Sequence, residues 1–146
     1  MQYGDNGGAV GYLLGEEHQG MRCMFTMMNN ARLGVGVEGV GIAERAYQQA
    51  LGYAHERTQG RAIGAEPGTE SPIIDHPDVQ RMLLDMKSTI AAMRGLTYRN
   101  AEALDLAHNG ADDDARTAGE ERAALLTPLS KSWCTDMGVE LTSVGV

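Results

Sequence analysis

Apolar side chains recur at steps of three and four through most of the chain, and they outline three long helices. Over residues 21–57, Met21, Met24, Phe25 and Met28, then Val40, Ala43, Tyr47, Ala50, Leu51 and Ala54, form the stripe of an amphipathic helix that no proline interrupts. Helical throughout, it would be ~55 Å long at ~1.5 Å per residue. A helix of that length needs partners. A second opens at Pro77, a residue suited to the first helical position, with Asp75 or His76 as cap. Val79, Met82, Leu83, Met86, Ile90, Met93, Leu96, Leu104 and Ala107 mark its buried face, and Asn109-Gly110 is a left-handed stop signal. A third runs from about Asp114 towards the C-terminus on Leu125, Leu126, Leu129, Trp133, Met137, Leu141 and Val144. Pro128 predicts a kink in it, or a restart capped by Thr127.

The segments between and before these helices read differently. Thr58–Ile74 carries three glycines and two prolines and is a loop, long for a helix–helix connection. It is either a functional or interface segment or a disordered connector. At the N-terminus Asp5-Asn6-Gly7-Gly8 signals a turn and Ala9–Leu14 a short strand, with only Met1–Gly4 as a first limb. A lone hairpin is not stable, so this stretch is a frayed arm or the end of a sheet in a larger protein. Glu16 and Glu17 precede the positive end of the first helix. Leu141–Val146 has no stop signal, as though the chain ended within an element. The expected architecture is all-α: an up-down bundle of three long antiparallel helices, one short of a four-helix bundle, with a short N-terminal β arm.

Composition narrows the function. With 12 Lys and Arg against 20 Asp and Glu the net charge is −8, which argues against nucleic acid or an anionic membrane as the main partner. No apolar run reaches membrane-spanning length and no signal peptide is evident. The two cysteines, Cys23 and Cys134, form no metal or redox motif and read as reduced thiols of a cytoplasmic protein. Gly34, Gly36, Gly39 and Gly41 interrupt the first helix at about 1 kcal/mol each relative to alanine. They imply close approach of another element or of a ligand. Gly34 to Gly39 also spells G-x-G-x-x-G, but it follows helical rather than strand periodicity and opens no βαβ unit, so a dinucleotide fold is rejected.

No complete active site emerges from the residues alone. There is no G-x-S-x-G elbow. A di-iron bundle needs two Glu-x-x-His motifs, and the nearest match is a single Asp105-x-x-His108. His76, beside Asp75 and Asp78, reads as part of a cap. Arg32, one turn after Asn29 in an apolar helical stretch, is either salt-bridged or an anion or carbonyl contact. Arg57, at the end of the first helix, either complements the helix dipole or binds phosphate across an interface.

Several segments in register resemble one family. Gly15-Glu16-Glu17-His18-Gln19-Gly20-Met21, Ala31-Arg32-Leu33, Ala43–Tyr47, Tyr53–Arg57 and Ser71–Val79 are similar to the acyl-CoA dehydrogenases, across the passage from their middle β-domain into their C-terminal helical domain. Ala124–Pro128 and Trp133 look most like the long bacterial branch that includes the 3-methylmercaptopropionyl-CoA dehydrogenases. The resemblance implies that residues 1–20 end the β-domain and 21–146 belong to the helical domain. It implies an FAD-dependent oxidation of an acyl-CoA to the 2,3-enoyl-CoA, an electron-transfer acceptor protein and a homo-oligomer, dimer or tetramer. By position, Asn29 and Arg32 match the acyl-CoA site. Arg57 matches an arginine at the flavin diphosphate of a neighbouring subunit, and Gln59 matches nearby, where the family usually carries one more residue. The catalytic glutamate lies downstream in most members and just before the Arg32 position in some. Here that position is Ala31, so no catalytic residue is assigned, and no metal ligand. The alternative is a non-enzymatic helical oligomerisation module.

Overall fold

A computed structural model describes residues 3–146. Its three long helices are α1, Gly20–Glu56, α2, Pro77–Asn109, and α3, Asp113–Val144. They run up, down and up. Gly119 of α3 lies against Leu106 and Ala107 of α2 while Thr127, further along α3, pairs with Asn100, earlier on α2, so α2 and α3 are antiparallel; Glu44 of α1 pairs with Arg94 of α2. Gly36 meets Ser130, and Gly39 meets Cys134 and Gly138, so α1 and α3 are parallel. Val40, Ala43, Tyr47 and Ala54 of α1, Leu83, Met86, Ile90 and Met93 of α2, and Cys134 and Leu141 of α3 form the core.

Backbone proximity governs how α1 and α3 meet. A β-carbon on Gly39 would overlap the Cys134 carbonyl oxygen and lie 2.8 Å from its carbonyl carbon; one on Gly36 would lie 3.0 Å from the Ser130 oxygen. Gly34 and Gly41, on the other face, meet nothing. Two of the four helix-breaking glycines are therefore packing glycines. A similar crossing joins α3 to α2, where a β-carbon on Gly119 would lie 2.5 Å from the Ala107 nitrogen.

This close approach rotates α3 away from the face its hydrophobicity predicts. The buried stripe is Gly119, Ala123, Thr127, Ser130, Cys134, Gly138 and Leu141, all small but the last. Leu125 is 65% exposed and Leu129 49%, while Trp133 and Met137 flank the core half-buried. On α2, Met86 and Met93 are fully buried and Met82 is half-buried. Thr127 caps nothing. Its hydroxyl donates to Asn100 Oδ1 inside the bundle (3.2 Å), and α3 continues through Pro128. The cap of α3 is Asp112, whose Oδ1 accepts from the Ala115 N–H at 2.8 Å.

Three local expectations differ from the structure. Ala9–Leu14 forms no strand: the Asp5–Gly8 turn is present, with Asn6, Gly7 and Gly8 at positive φ, but nothing in the described residues supplies a ladder. Gly110 follows α2 with φ −54°, not left-handed. Glycine is needed there because a β-carbon would lie 2.7 Å from the Leu106 oxygen and 2.9 Å from the Arg116 nitrogen. The first apolar turns of α1 are not core: Met21, Met24 and Phe25 are exposed because α2 and α3 cover α1 from about Gly36 onward.

Candidate functional site

Where α1 extends past the core, its polar residues meet the C-terminal half of α2 and the N-terminal half of α3. Together they form a cleft of about 440 Å³. Thr26, Asn29, Asn30 and Arg32 line one wall, Leu104, Ala107 and His108 the second, and Glu120, Ala123, Ala124, Thr127 and Pro128 the third. Arg32 is half-buried, and its Nη1–H donates to Asn29 Oδ1 across a long 3.4 Å. Among the described residues it forms no ion pair, so the salt-bridge alternative is not realised. A guanidinium with one weak internal partner retains donors for a carbonyl or an anion.

The third wall carries an acceptor that side chains alone do not reveal. Pro128 has no N–H, so the Ala124 carbonyl one turn earlier lacks its helical donor. Both residues line the cleft. His108 is turned back along α2, its Nδ1 2.7 Å from the Leu104 carbonyl, which leaves Nε2 as the ring's other polar atom. Asn29 and Arg32, singled out in the sequence, share the cleft with Thr26, His108, Glu120 and Thr127, which no sequence pattern linked to them. They come from three helices, and only packing brings them together.

Arg57 and Gln59 lie elsewhere. Arg57 is the C-cap of α1, 25 residues beyond Arg32, or ~38 Å along the axis. Its backbone N–H donates to the Tyr53 carbonyl and its carbonyl accepts from the Ile73 N–H, both at 2.8 Å. The following loop is ordered by its own contacts. Thr58 bridges Pro72 in antiparallel fashion, the Gln59 N–H donates to the Ser71 carbonyl, and a 3-10 turn at Ile73–Asp75 leads into α2. Arg57 and Gln59 are both exposed, and neither side chain has a hydrogen bond or ion pair within the described residues. The four site residues thus form two regions at opposite ends of α1.

Comparison with known proteins fixes the family. The model of the acyl-CoA dehydrogenase C-terminal domain matches residues 18–143. The chain belongs to the acyl-CoA dehydrogenase family. It is 49% identical over 146 residues to a 3-methylmercaptopropionyl-CoA dehydrogenase of Ruegeria pomeroyi, covering 100% of this chain and 24% of that protein. It is 33% identical over 142 residues to a butyryl-CoA dehydrogenase of Syntrophomonas wolfei, covering 94% and 23%. A cyclohexane-1-carbonyl-CoA dehydrogenase of Geobacter metallireducens is 28% identical over 134 residues, covering 92% and 30%. The chain spans about a quarter of the length of the first two relatives. Among the described residues, no helix is long and apolar enough to cross a membrane.

Proposed function

We propose that this chain works as the helical domain of a cytoplasmic, flavin-dependent acyl-CoA dehydrogenase, with residues 1–20 closing a β-domain and 21–146 forming the bundle. The reaction is oxidation of an acyl-CoA to its 2,3-enoyl-CoA, and the two electrons removed from the substrate pass to an electron-transfer acceptor protein. FAD, when bound, supplies the hydride-accepting chemistry. The observation that carries the reading is the pair Arg57 and Gln59: two exposed side chains without partners at the end of a 37-residue helix. They suit a flavin diphosphate. Guanidinium offers paired N–H donors to phosphate oxygens, and the amide adds another.

At the other end of α1, Asn29 and Arg32 bind the acyl-CoA, Arg32 through the donors its bond to Asn29 leaves free. The Ala124 carbonyl accepts from an N–H or O–H of the same ligand. No residue of this chain acts as catalytic base; the resemblance sets a glutamate elsewhere in the enzyme, because Ala31 occupies the alternative position. The ~38 Å between the two regions supports a homo-oligomer, dimer or tetramer, in which one helix serves its own acyl site and a neighbour's flavin.

Arg57→Lys in the flavin-loaded enzyme tests this. Charge and helix-end complementarity persist, but one charge-assisted hydrogen bond is lost, worth about 1.5–3 kcal/mol, or roughly ten- to hundredfold in FAD affinity. Flavin content after gel filtration reports it, with circular dichroism to verify the fold. Unchanged occupancy and affinity would reduce Arg57 to a helix-end charge.

A further inference from the structure

We infer that His76 is a positioning residue: its imidazole holds the backbone that presents Arg57 and Gln59 together, an inference that rests on their reading as flavin contacts. Arg57 is extended, with φ −75° and ψ 121°, and Thr58 sits in the bridge to Pro72. Side chains alternate along an extended strand, so residues 57 and 59 share a face and residue 58 takes the other. The Thr58 hydroxyl is accordingly turned to the opposite limb of the loop, where it donates to Glu70 Oε2 at 3.2 Å. Arg57 and Gln59 therefore project side by side, away from their own loop.

The ladder that should fix this strand is irregular. In a regular antiparallel pair, Gln59 and Ser71 would exchange both backbone hydrogen bonds. Here the Gln59 N–H donates to Ser71 O at 3.0 Å, but the Ser71 N–H donates onward to Gly60 O at 2.9 Å. Gly60, at φ +67°, makes that shift possible. The Gln59 carbonyl is left without a ladder partner, and His76 Nε2 lies 2.8 Å from it. Only an N–H can bond a carbonyl, so the ring carries its proton on Nε2. His76 is also the N-cap residue of α2, so the same residue joins the loop to that helix. Ser71 completes the clasp from within: its buried Oγ accepts from the Ala62 N–H at 3.1 Å. The imidazole thus couples the flavin-facing strand to α2.

The experiment uses the flavin-loaded enzyme and reads FAD retention, with circular dichroism and loop amide exchange in parallel. His76→Leu removes the donor, and His76→Gln offers an amide N–H near the Nε2 position. Losing one neutral hydrogen bond at an exposed carbonyl corresponds to a roughly three- to tenfold loss of FAD affinity. His76→Leu should show that loss with helical content unchanged, and His76→Gln should recover to within about twofold. Because His76 presents Arg57 and Gln59 together, His76→Leu should cost clearly less in an Arg57→Ala background than in the wild type, the remainder being the share carried by Gln59. Undiminished affinity in folded His76→Leu, alongside a weakened Arg57→Ala, would overturn the positioning role alone. Equal losses from His76→Leu with and without Arg57 would overturn it as well. An Arg57→Ala enzyme that keeps its FAD would defeat the contact reading and this inference with it.

Discussion

Replacing Gly39 by alanine tests how α1 and α3 meet. In a helix interior the exchange alone stabilises by about 1 kcal/mol. Against that stands a β-carbon overlapping the Cys134 carbonyl oxygen, with the carbonyl carbon at 2.8 Å and the Thr135 nitrogen at 3.3 Å. All three atoms are main chain, so no rotamer change relieves the overlap and the helices must separate. Overpacking typically costs about 1–3 kcal/mol, and a clash with backbone belongs at the upper end. The net expectation is destabilisation by about 2 kcal/mol, from about 3 lost and about 1 regained. With a urea slope of about 2 kcal/mol per molar, the midpoint falls by about 1 M. Gly34→Ala and Gly41→Ala, which meet nothing within 4 Å, should raise it. Gly36→Ala, at 3.0 Å from the Ser130 oxygen, should fall between. The assay is urea unfolding of this chain followed by circular dichroism. A Gly39→Ala midpoint at or above that of Gly41→Ala would refute the close parallel crossing.

Burial pushes the Cys134 thiol above its ordinary value of 9.0. Below that value folded and unfolded chains both hold the proton; above it the unfolded thiol ionises first, so this contribution to stability is lost as pH rises, at no more than about 1.4 kcal/mol per pH unit. Urea midpoints between pH 7 and 10 should fall more steeply for the wild type than for Cys134→Ala, and parallel slopes would contradict it. Exposed Met21, Phe25 and Met27 on α1, with Leu125 and Leu129 on α3, should drive self-association. Light scattering should give a mass that rises with concentration and falls on Leu125→Glu with Leu129→Glu; a monomer at high micromolar concentration would count against it.

The three helices were legible because their periodicity spans more than thirty residues each and because Pro77 and the Asp112–Asp114 run mark starts. The face of α3 was not legible. Hydrophobicity marks Leu125, Leu129 and Trp133, whereas close approach to two backbones selects Gly119, Ser130, Cys134 and Gly138. A stripe of small residues at the same period carried that signal. The polar interior was hidden for a related reason: the Thr127 hydroxyl finds the Asn100 Oδ1 only across α3 and α2, and the Asn100 amide nitrogen is buried without a partner among the described residues. For the sites, Arg57 was legible as the last residue of a helix and Arg32 as a charge in an apolar stretch. The clasp that orients Arg57 was not, because His76 reaches Gln59 across 17 residues through a backbone atom. No side-chain pattern records such a contact.

In the function proposed above, this bundle belongs to an enzyme in which acyl-CoA reduces bound flavin. The most direct test of that function is anaerobic addition of acyl-CoA thioesters to the flavin-loaded enzyme carrying this domain, following flavin absorbance and analysing the thioester formed. The expected result is bleaching of the oxidised flavin band with one 2,3-enoyl-CoA formed per flavin reduced. A protein that retains no flavin, or whose flavin stays oxidised with short, long and sulfur-containing acyl-CoAs alike, would contradict it.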